Sequence, residues 1–180
     1  GFFKDLTATV NGFDFDFGAG GIHGSVHGKT FRADDEYEIV DVDVVSYYPS
    51  LAIANRWHPE HMSEAFCYIY TELKRQRVSH AKGTPENAML KLSLNGVYGD
   101  SNNKYSPFFD PAYTMAVTIN GQLLLCLLAE KVMKISDVTM IQINTDGLSV
   151  RIPRDRRDDL AAVCRWWEGV TRLELETVEY

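Results

Sequence analysis

The fold is decided by the stretch Gln142–Val150, which reads QINTDGLSV. Polar and apolar residues alternate on both sides of a central Asp-Gly pair, a pattern typical of two antiparallel strands joined by a tight turn. Asp-Gly is a good type I′ turn, so the turn alone accounts for Asp146 and Gly147. The same turn would also present the Asp146 carboxylate at the end of a strand pair. Whether Asp146 does chemistry therefore depends on the residues that the fold brings to it.

The composition is that of one globular domain, or of one domain with a small insertion. The chain has 180 residues, of which 45% are hydrophobic, and this is enough to bury a sizeable core. The cysteines Cys67, Cys126 and Cys164 form no CxxC pair, as expected of reduced cysteines in an intracellular protein. We expect no signal peptide and no apolar run long enough to span a membrane. The chain starts with Gly and ends at VEY, so we expect a fragment of a longer protein.

The charges are unevenly distributed along the chain. The net charge of −7 argues against a free-standing nucleic-acid binder, because phosphate affinity comes mostly from Lys and Arg. Between Lys74 and Lys104, however, six residues are basic and two are acidic, whereas Asp34–Asp43 holds six acidic residues and no basic one. An acidic patch beside a basic segment suits a site for a metal ion and a phosphate. From charge alone, two solvated faces of opposite sign are the simpler interpretation.

Strand signals come early and late in the chain. Residues 2–32 are predicted to form short strands and turns, with an Asn-Gly hairpin in TATVNGFDFDFG and a glycine-rich loop at Gly18–Gly28. Glu38–Tyr48 is predicted as a strand that ends at Pro49. The later predicted elements are a long helix (Pro111–Lys134), the hairpin around Asp146, an amphipathic helix (Asp155–Val170) and a final strand (LELETVEY).

A helical hairpin is predicted between the two strand regions. Its first helix starts at Ser63 as N-cap, and its second starts at Pro85 after the capping residue Thr84 and closes at Gly99. This order predicts an α+β fold, in which an antiparallel β-sheet is covered by helices on one face and a two-helix hairpin is inserted. The predicted domain ranges are 1–62, 63–99 (the inserted hairpin) and 100–180.

A second motif that could lie close to Asp146 in the fold is DVDVVSYYPS, Asp41–Ser50. Asp43 lies near the end of the predicted strand, and bulky aromatic residues follow it. This arrangement suits a metal ligand beside a shaped pocket. An edge-strand aspartate followed by aromatic core residues explains the same spacing, and this motif alone favours that simpler interpretation.

The third motif is KLSLNGVYG, Lys91–Gly99. On a helix, Lys91, Asn95 and Tyr98 share one face, where a cation, an amide and an aromatic ring suit a phosphate, a sugar and a base. An amphipathic helix with a polar face is the alternative interpretation. The residues expected to pack on the other side are Leu90, Leu92, Leu94 and Val97.

Together the three motifs resemble the palm and fingers of a family B DNA polymerase of the phage type. DVVSYYPS resembles that family's first motif, Asp-x-x-Ser-Leu-Tyr-Pro-Ser, and KLSLNGVYG resembles the second, Lys-x-x-x-Asn-Ser-x-Tyr-Gly. NTDG (Asn144–Gly147) stands where the third motif has Asp-Thr-Asp-Ser. The motifs come in family order, and the resemblance covers nearly the whole chain. Other stretches similar to phage members are GGIHG, ELKRQR, KGTPENAMLK, KYSPFFDPAYTMAVTINGQLLL and WWEGVTRLELETVEY.

The resemblance implies a DNA-directed DNA polymerase that adds a dNMP to a primer 3′ end by two-metal catalysis. Asp43 and Asp146 would be the catalytic carboxylates that hold a pair of Mg²⁺ ions, with Mn²⁺ as a substitute and help from the Val44 carbonyl. Tyr48 would be the steric gate that collides with a ribose 2′-hydroxyl. The other implied nucleotide-binding residues are Arg77, Lys82, Lys91 and Asn95, and the implied primer–template residues are Tyr98, Asn144 and Thr145.

The chain departs from the family pattern at several positions. Asn144 replaces the first carboxylate of the third motif, and it would act as a neutral ligand or a hydrogen-bonding support. Gly147 and Gly96 each stand where the family has Ser. The chain has no room for an exonuclease domain and no thumb, and the family's Lys-x-Tyr motif is absent. We therefore expect a fragment of a phage replicative polymerase.

The expected partners are primer–template DNA, dNTPs and the remaining domains of a larger polymerase, with no membrane. The expected location is the cytoplasm of an infected bacterial host. One alternative is a palm-fold DNA-binding or interaction module without turnover, which the missing thumb and the net charge of −7 favour. Another is a different two-metal phosphotransferase such as a nuclease, which would need neither Lys91 nor Tyr48.

Two histidine pairs are weaker candidates for a metal site. His23 and His27 in HGSVHG have helical i,i+4 spacing, but the glycines around them disfavour a helix. His58, Glu60 and His61 in WHPEH are better explained by a surface loop.

Overall fold

The computed structural model describes residues 6–180, which form an α+β fold. Residues 2–5 of the predicted N-terminal strand region lie outside the described residues. Among residues 6–180 the strands are β1 (Thr7–Val10), β2 (Phe13–Phe17), β3 (Ile22–Ser25), β4 (Tyr37–Val44), β5 (Thr139–Ile143), β6 (Gly147–Pro153) and β7 (Leu175–Glu179). The α-helices are α1 (Tyr47–Asn55), α2 (Ala65–Ser79), α3 (Pro85–Asp100), α4 (Pro111–Val132) and α5 (Arg157–Thr171), with a 3₁₀ turn at Arg154–Arg156.

The chain forms two compact units. The sheet unit consists of the chain up to Val45 together with Ile119–Tyr180, and it contains the seven strands and α5. The helical unit is Ser46–Thr118, and it contains α1, α2 and α3. The chain passes between the units twice, once between β4 and α1 and once inside α4. The predicted domain ranges 1–62, 63–99 and 100–180 stay predictions.

The strands form one antiparallel sheet in the order β1-β2-β3-β5-β6-β4-β7. The first hairpin turns at Asn11 and Gly12, whose φ angles of 51° and 77° are both positive, as a type I′ Asn-Gly turn requires. Strand β4 is the second strand from one edge of the sheet, where it pairs with β6 on one side and with the edge strand β7 on the other. The predicted α+β class with an antiparallel sheet is confirmed.

Strand β4 shows how the sheet separates a buried face from an open face. Successive side chains of a strand point to opposite faces, and burial alternates along all eight residues of β4. Val40, Val42 and Val44 are buried, whereas Asp41 and Asp43 are half-buried on the other side, which we call the open face. The core of the sheet unit also contains Trp167 of α5, whose Nε1 donates to the Leu124 carbonyl at 2.8 Å.

The helical unit contains the predicted pair α2 and α3, which pack against each other. The Tyr70 hydroxyl of α2 donates to the Leu94 carbonyl of α3 at 2.6 Å, and both residues are buried. As predicted, Thr84 caps α3 and Pro85 occupies its first position, where a missing N–H does no harm.

Three predicted details of these helices are wrong. Helix α2 starts at Ala65 rather than at Ser63, and its N-cap Glu64 makes no side-chain cap bond. Helix α3 runs past Gly99 to Asp100. Leu92, which was expected to pack, is 75% exposed, because a residue two positions from the buried Leu90 and Leu94 points to the opposite side of a helix.

The predicted strand Glu38–Tyr48 ends earlier than expected. Strand β4 stops at Val44, and Ser46 adopts a left-handed conformation with a φ of 49° that turns the chain into α1. Pro49 lies in the first turn of α1, where it has no N–H to leave unbonded. The proline therefore belongs to the start of a helix and does not itself break the strand.

Helix α4 is long and apolar enough to span a membrane by length and composition, so the expectation that no segment would be is wrong. Its 22 residues reach a mean hydropathy of 1.5 in their most apolar window, which passes that test by length and composition among the described residues. Half of that window is buried inside the protein. Burial of this kind is typical of a core helix.

Candidate functional site

Asp43 and Asp146 lie at the same end of two adjacent strands. Asp43 is the second-last residue of β4, and Asp146 immediately precedes β6. The cross-strand register pairs Asp43 with Gly147, and the Val44 N–H donates to the Asp146 carbonyl at 2.8 Å. The Asp43 side chain is half-buried on the open face, and Asp146 is exposed. The structure therefore brings the two predicted metal ligands onto neighbouring backbone positions.

The turn that carries Asp146, residues Asn144–Asp146, is not the predicted type I′ turn. Within residues 6–180 the positive φ angles do not include Asp146 or Gly147. Instead, Asn144 Oδ1 accepts from the N–H groups of Asp146 (3.2 Å) and Gly147 (2.9 Å), and the Asn144 N–H donates to the Gly147 carbonyl (2.9 Å). A side-chain oxygen closes the turn, so no left-handed residue is needed. Asn144 thus supports the turn by hydrogen bonding.

Gly147 leaves room for the Asp43 carboxylate. A Cβ at residue 147 would overlap Asp43 Oδ1 and would lie 2.5 Å from the Val42 carbonyl oxygen. Since real Cβ atoms do not approach other atoms so closely, a side chain at residue 147 would push Asp43 out of its place. This close approach gives a physical reason for glycine at residue 147.

The open face around Asp43 is acidic. In the register of β4 and β7, Glu176 lies directly opposite Asp43, a relationship that sequence reasoning missed although the alternation in LELETVEY was visible. The Asp41 carboxylate, which bonds the Tyr180 hydroxyl, raises the pKa of that tyrosine, and Asp43 adds to the effect. A cation is therefore electrostatically favoured on this face.

The donor set fits a hard divalent cation. Within residues 6–180 the Asp146 carboxylate has no hydrogen-bond or ion-pair partner. In the same range, no three His, Cys, Asp or Glu side chains come together closely enough to hold a metal ion, and this includes the weaker histidine candidates. Mg²⁺ is commonly held by only one or two carboxylates, with substrate phosphates and water completing its octahedron. Asp43 and Asp146 match that kind and number of ligands.

In the helical unit, the structure brings Tyr48 and Tyr98 into contact. Their ring centroids are 4.5 Å apart, and Tyr48 is buried. The Tyr98 hydroxyl is hydrogen-bonded to Thr118 Oγ1 at 2.5 Å, and burial raises the pKa of Tyr98. The ring of Tyr48 therefore packs against a ring that is itself held by a hydrogen bond.

The other predicted nucleotide-binding residues of the helical unit lie in different settings. Arg77 Nη1 donates to Ser46 Oγ at 2.5 Å, which anchors the guanidinium next to α1. Lys91 and Asn95 are exposed on one face of α3. Lys82 is exposed in the loop between α2 and α3. The roles of these residues stay predictions.

Comparison with known proteins gives a likeness of fold. No protein-family model matches the chain, and no curated protein matches it. Among solved structures, the chain is similar to the family B DNA polymerase from the hyperthermophilic archaeon Pyrobaculum calidifontis, with a TM-score of 0.56 and 12% sequence identity over 85% of this chain. The chain spans 26% of the length of that polymerase. Most of this chain therefore shares the fold of one part of a family B DNA polymerase.

Proposed function

We propose that this chain is the core of a DNA-directed DNA polymerase, which transfers a dNMP from a dNTP to a primer 3′ end. One observation carries the proposal: Asp43 pairs with Gly147, so the Asp146 turn lies against the Asp43 strand in a fold shared with a family B polymerase. Two carboxylates held this way, with further acidic side chains around them, could hold metal ions in place. This arrangement suits phosphoryl transfer, because that reaction depends on charges that are fixed near the phosphate.

Asp43 and Asp146 would hold the metal ions, with the Val44 carbonyl as a further ligand. When bound, Mg²⁺ (or Mn²⁺ in its place) lowers the pKa of the primer 3′-hydroxyl and neutralises the triphosphate and the leaving pyrophosphate. Asn144 holds the turn on which Asp146 stands. Asn144 and Thr145 of the sheet unit are proposed to contact the primer–template, and so is Tyr98 of the helical unit.

The helical unit would bind the incoming nucleotide. Lys91, Arg77 and Lys82 would neutralise the triphosphate, and Asn95 would line the pocket. Arg77 is already held by Ser46, so less side-chain entropy is lost when it meets a phosphate. Tyr48 would lie under the sugar and exclude a ribose by a steric clash, which is selection against the wrong substrate.

The biological setting follows from the motifs. We propose a part of a phage replicative polymerase that works in the cytoplasm of an infected bacterium. Primer–template DNA, dNTPs and the remaining domains of the polymerase are the proposed partners. A net charge of −7 means that the chain alone would hold DNA weakly, so low processivity is expected.

Single-nucleotide primer extension tests the proposal, with Mg²⁺ or Mn²⁺, low salt and excess protein over a primer–template. We expect metal-dependent addition of the nucleotide that pairs with the template. If the protein bound the DNA but added no nucleotide and bound no dNTP in the presence of metal, a palm-fold DNA-binding module would be the better description.

A further inference from the structure

His23 contacts the turn that carries Asp146. It lies in β3, inside the segment that the sequence predicts as a glycine-rich loop, and its side chain is exposed. His23 Nε2 is 3.4 Å from the Thr145 Oγ1 atom, longer than the usual separation of about 2.7–3.2 Å, so this hydrogen bond is a weak one. The two residues are 122 positions apart in the sequence, so only the fold joins them.

The backbone around His23 is firmly placed. Strand β3 pairs with β5 through Gly24 and Ile143, and the Val26 N–H donates to the Ile141 carbonyl at 2.9 Å. A Cβ at Gly24 would overlap the Asp14 carbonyl oxygen, so this strand lies as close to its neighbour as a glycine allows. The imidazole of His23 is thus carried by a rigid part of the sheet unit.

Within the described chain, the side chains of two residues hold the turn: Asn144 from inside it and His23 from outside it. Asn144 holds the N–H groups of Asp146 and Gly147, which fixes the backbone from within the turn. His23 reaches Thr145 from a neighbouring strand. Because the Asp146 carboxylate itself has no partner in residues 6–180, its direction depends on how well the turn is held.

We infer that His23 is a positioning residue for the Asp146 carboxylate, acting through the hydroxyl of Thr145. The inference rests on the proposed polymerase function and adds a residue that none of the three motifs contains. Loss of the contact loosens the turn, so the carboxylate spends less time in the direction that metal binding requires. The chemical step should suffer, whereas the affinity for the nucleotide should not.

The test measures kcat and the dNTP KM for four variants in single-nucleotide extension. We expect His23→Ala to lower kcat about fivefold, the value of one weak hydrogen bond, and to leave the KM within about twofold. His23→Gln should restore most of the loss, because its terminal amide reaches the position of Nε2, whereas the shorter His23→Asn should not. His27→Ala is the matched control, since His27 is exposed in the same segment, and it should behave as the unmodified protein.

Mn²⁺ titration of the same variants provides a second readout that does not need turnover. His23→Ala should weaken Mn²⁺ binding about fivefold, and His23→Gln should not. Equal kcat and equal Mn²⁺ affinity in His23→Ala would overturn the inference. A higher KM for the primer–template with unchanged kcat would also overturn it, because His23 would then bind DNA directly. Asp146→Asn tests the proposed function independently of His23. If Asp146→Asn loses activity while His23→Ala does not, the inference about His23 fails and the proposed function stands.

Discussion

Gly147 lies directly across the sheet from Asp43, and Asp43 Oδ1 occupies the space that a Cβ at residue 147 would take. The absence of a side chain at Gly147 therefore leaves the space that the Asp43 carboxylate occupies on the neighbouring strand. Since the Asp146 carbonyl accepts from the Val44 N–H, the same pair of strands positions the backbone of both aspartates.

Gly147→Ala should displace the Asp43 carboxylate and abolish primer extension. The added methyl group would overlap Asp43 Oδ1, and overpacking of this kind typically costs about 1–3 kcal/mol of unfolding free energy. Thermal denaturation and primer extension measure the two effects. Gly169→Ala in α5 is the control: its Cβ would meet nothing within 4 Å, so it should stabilise the helix by about 0.5–1 kcal/mol and leave extension unchanged. Full activity in Gly147→Ala would show that Asp43 does not need its observed position.

Tyr48→Val should allow ribonucleotides to be incorporated. Removing the ring removes the proposed clash with a 2′-hydroxyl, and the preference for dNTP over NTP should fall about 10- to 100-fold. Because Tyr48 is buried against Tyr98, the change should also cost about 2–4 kcal/mol of stability, so the assay is best run at low temperature. Tyr48→Phe keeps the ring and should keep the preference. A preference that survives in Tyr48→Val would remove Tyr48 as the gate.

Lys91→Ala should raise the KM for the dNTP about tenfold or more, since a charged hydrogen bond to a phosphate is lost. Steady-state extension at varied dNTP concentration measures the change. Lys104→Ala removes the same charge from an exposed loop, where the ammonium lies 4.8 Å from the Tyr105 ring centroid. This control should leave the KM nearly unchanged. Equal effects of the two substitutions would point to overall charge rather than to a triphosphate contact.

Asp110→Ala should destabilise the protein through the start of α4. Asp110 Oδ1 accepts from the Ala112 and Tyr113 N–H groups (2.9 and 3.0 Å), and Oδ2 accepts from the Glu60 N–H (2.8 Å). Loss of a capping carboxylate costs about 0.5–2 kcal/mol, and Asp110→Asn should recover much of it.

The cost of Asp110→Ala should depend on pH. Burial raises the pKa of Asp110, but the backbone hydrogen bonds outweigh it and hold the pKa below its ordinary value of 3.8. Because the folded-state pKa is lowered, the charged group stabilises the fold above pH 3.8, and this contribution is lost as the pH falls through the lowered pKa. Denaturant unfolding at pH 7 and near pH 3 should therefore show that the difference in unfolding free energy between Asp110→Ala and the unmodified protein is smaller at the lower pH. A constant difference would contradict the capping role of the charge.

Sequence patterns predicted those parts of the fold that depend on local periodicity. The alternation in β4 and the capping residues of α3 each depend on only a few neighbouring residues, and the structure agrees with both predictions. The turn at Asp146 was predicted as a turn, but its closure by Asn144 and the lack of space at Gly147 depend on which strands are neighbours. The same holds for Glu176, whose position opposite Asp43 follows from a register that no local pattern contains. Helical spacing suggested a shared face for Lys91 and Asn95, whereas the roles of Tyr48, Arg77 and Lys82 came from the resemblance.

The most direct test of the central claim is single-nucleotide primer extension by Asp146→Asn beside the unmodified chain. Asparagine keeps the size and the turn but removes the charge that would hold the metal ions. We expect the rate to fall at least about 100-fold, because metal-ion stabilisation of phosphoryl transfer is worth several kcal/mol. Asp155→Asn, in which a 78% exposed side chain loses the same charge, should keep the full rate. Equal extension by Asp146→Asn and the unmodified chain would contradict the assignment of Asp146 as a metal-holding carboxylate.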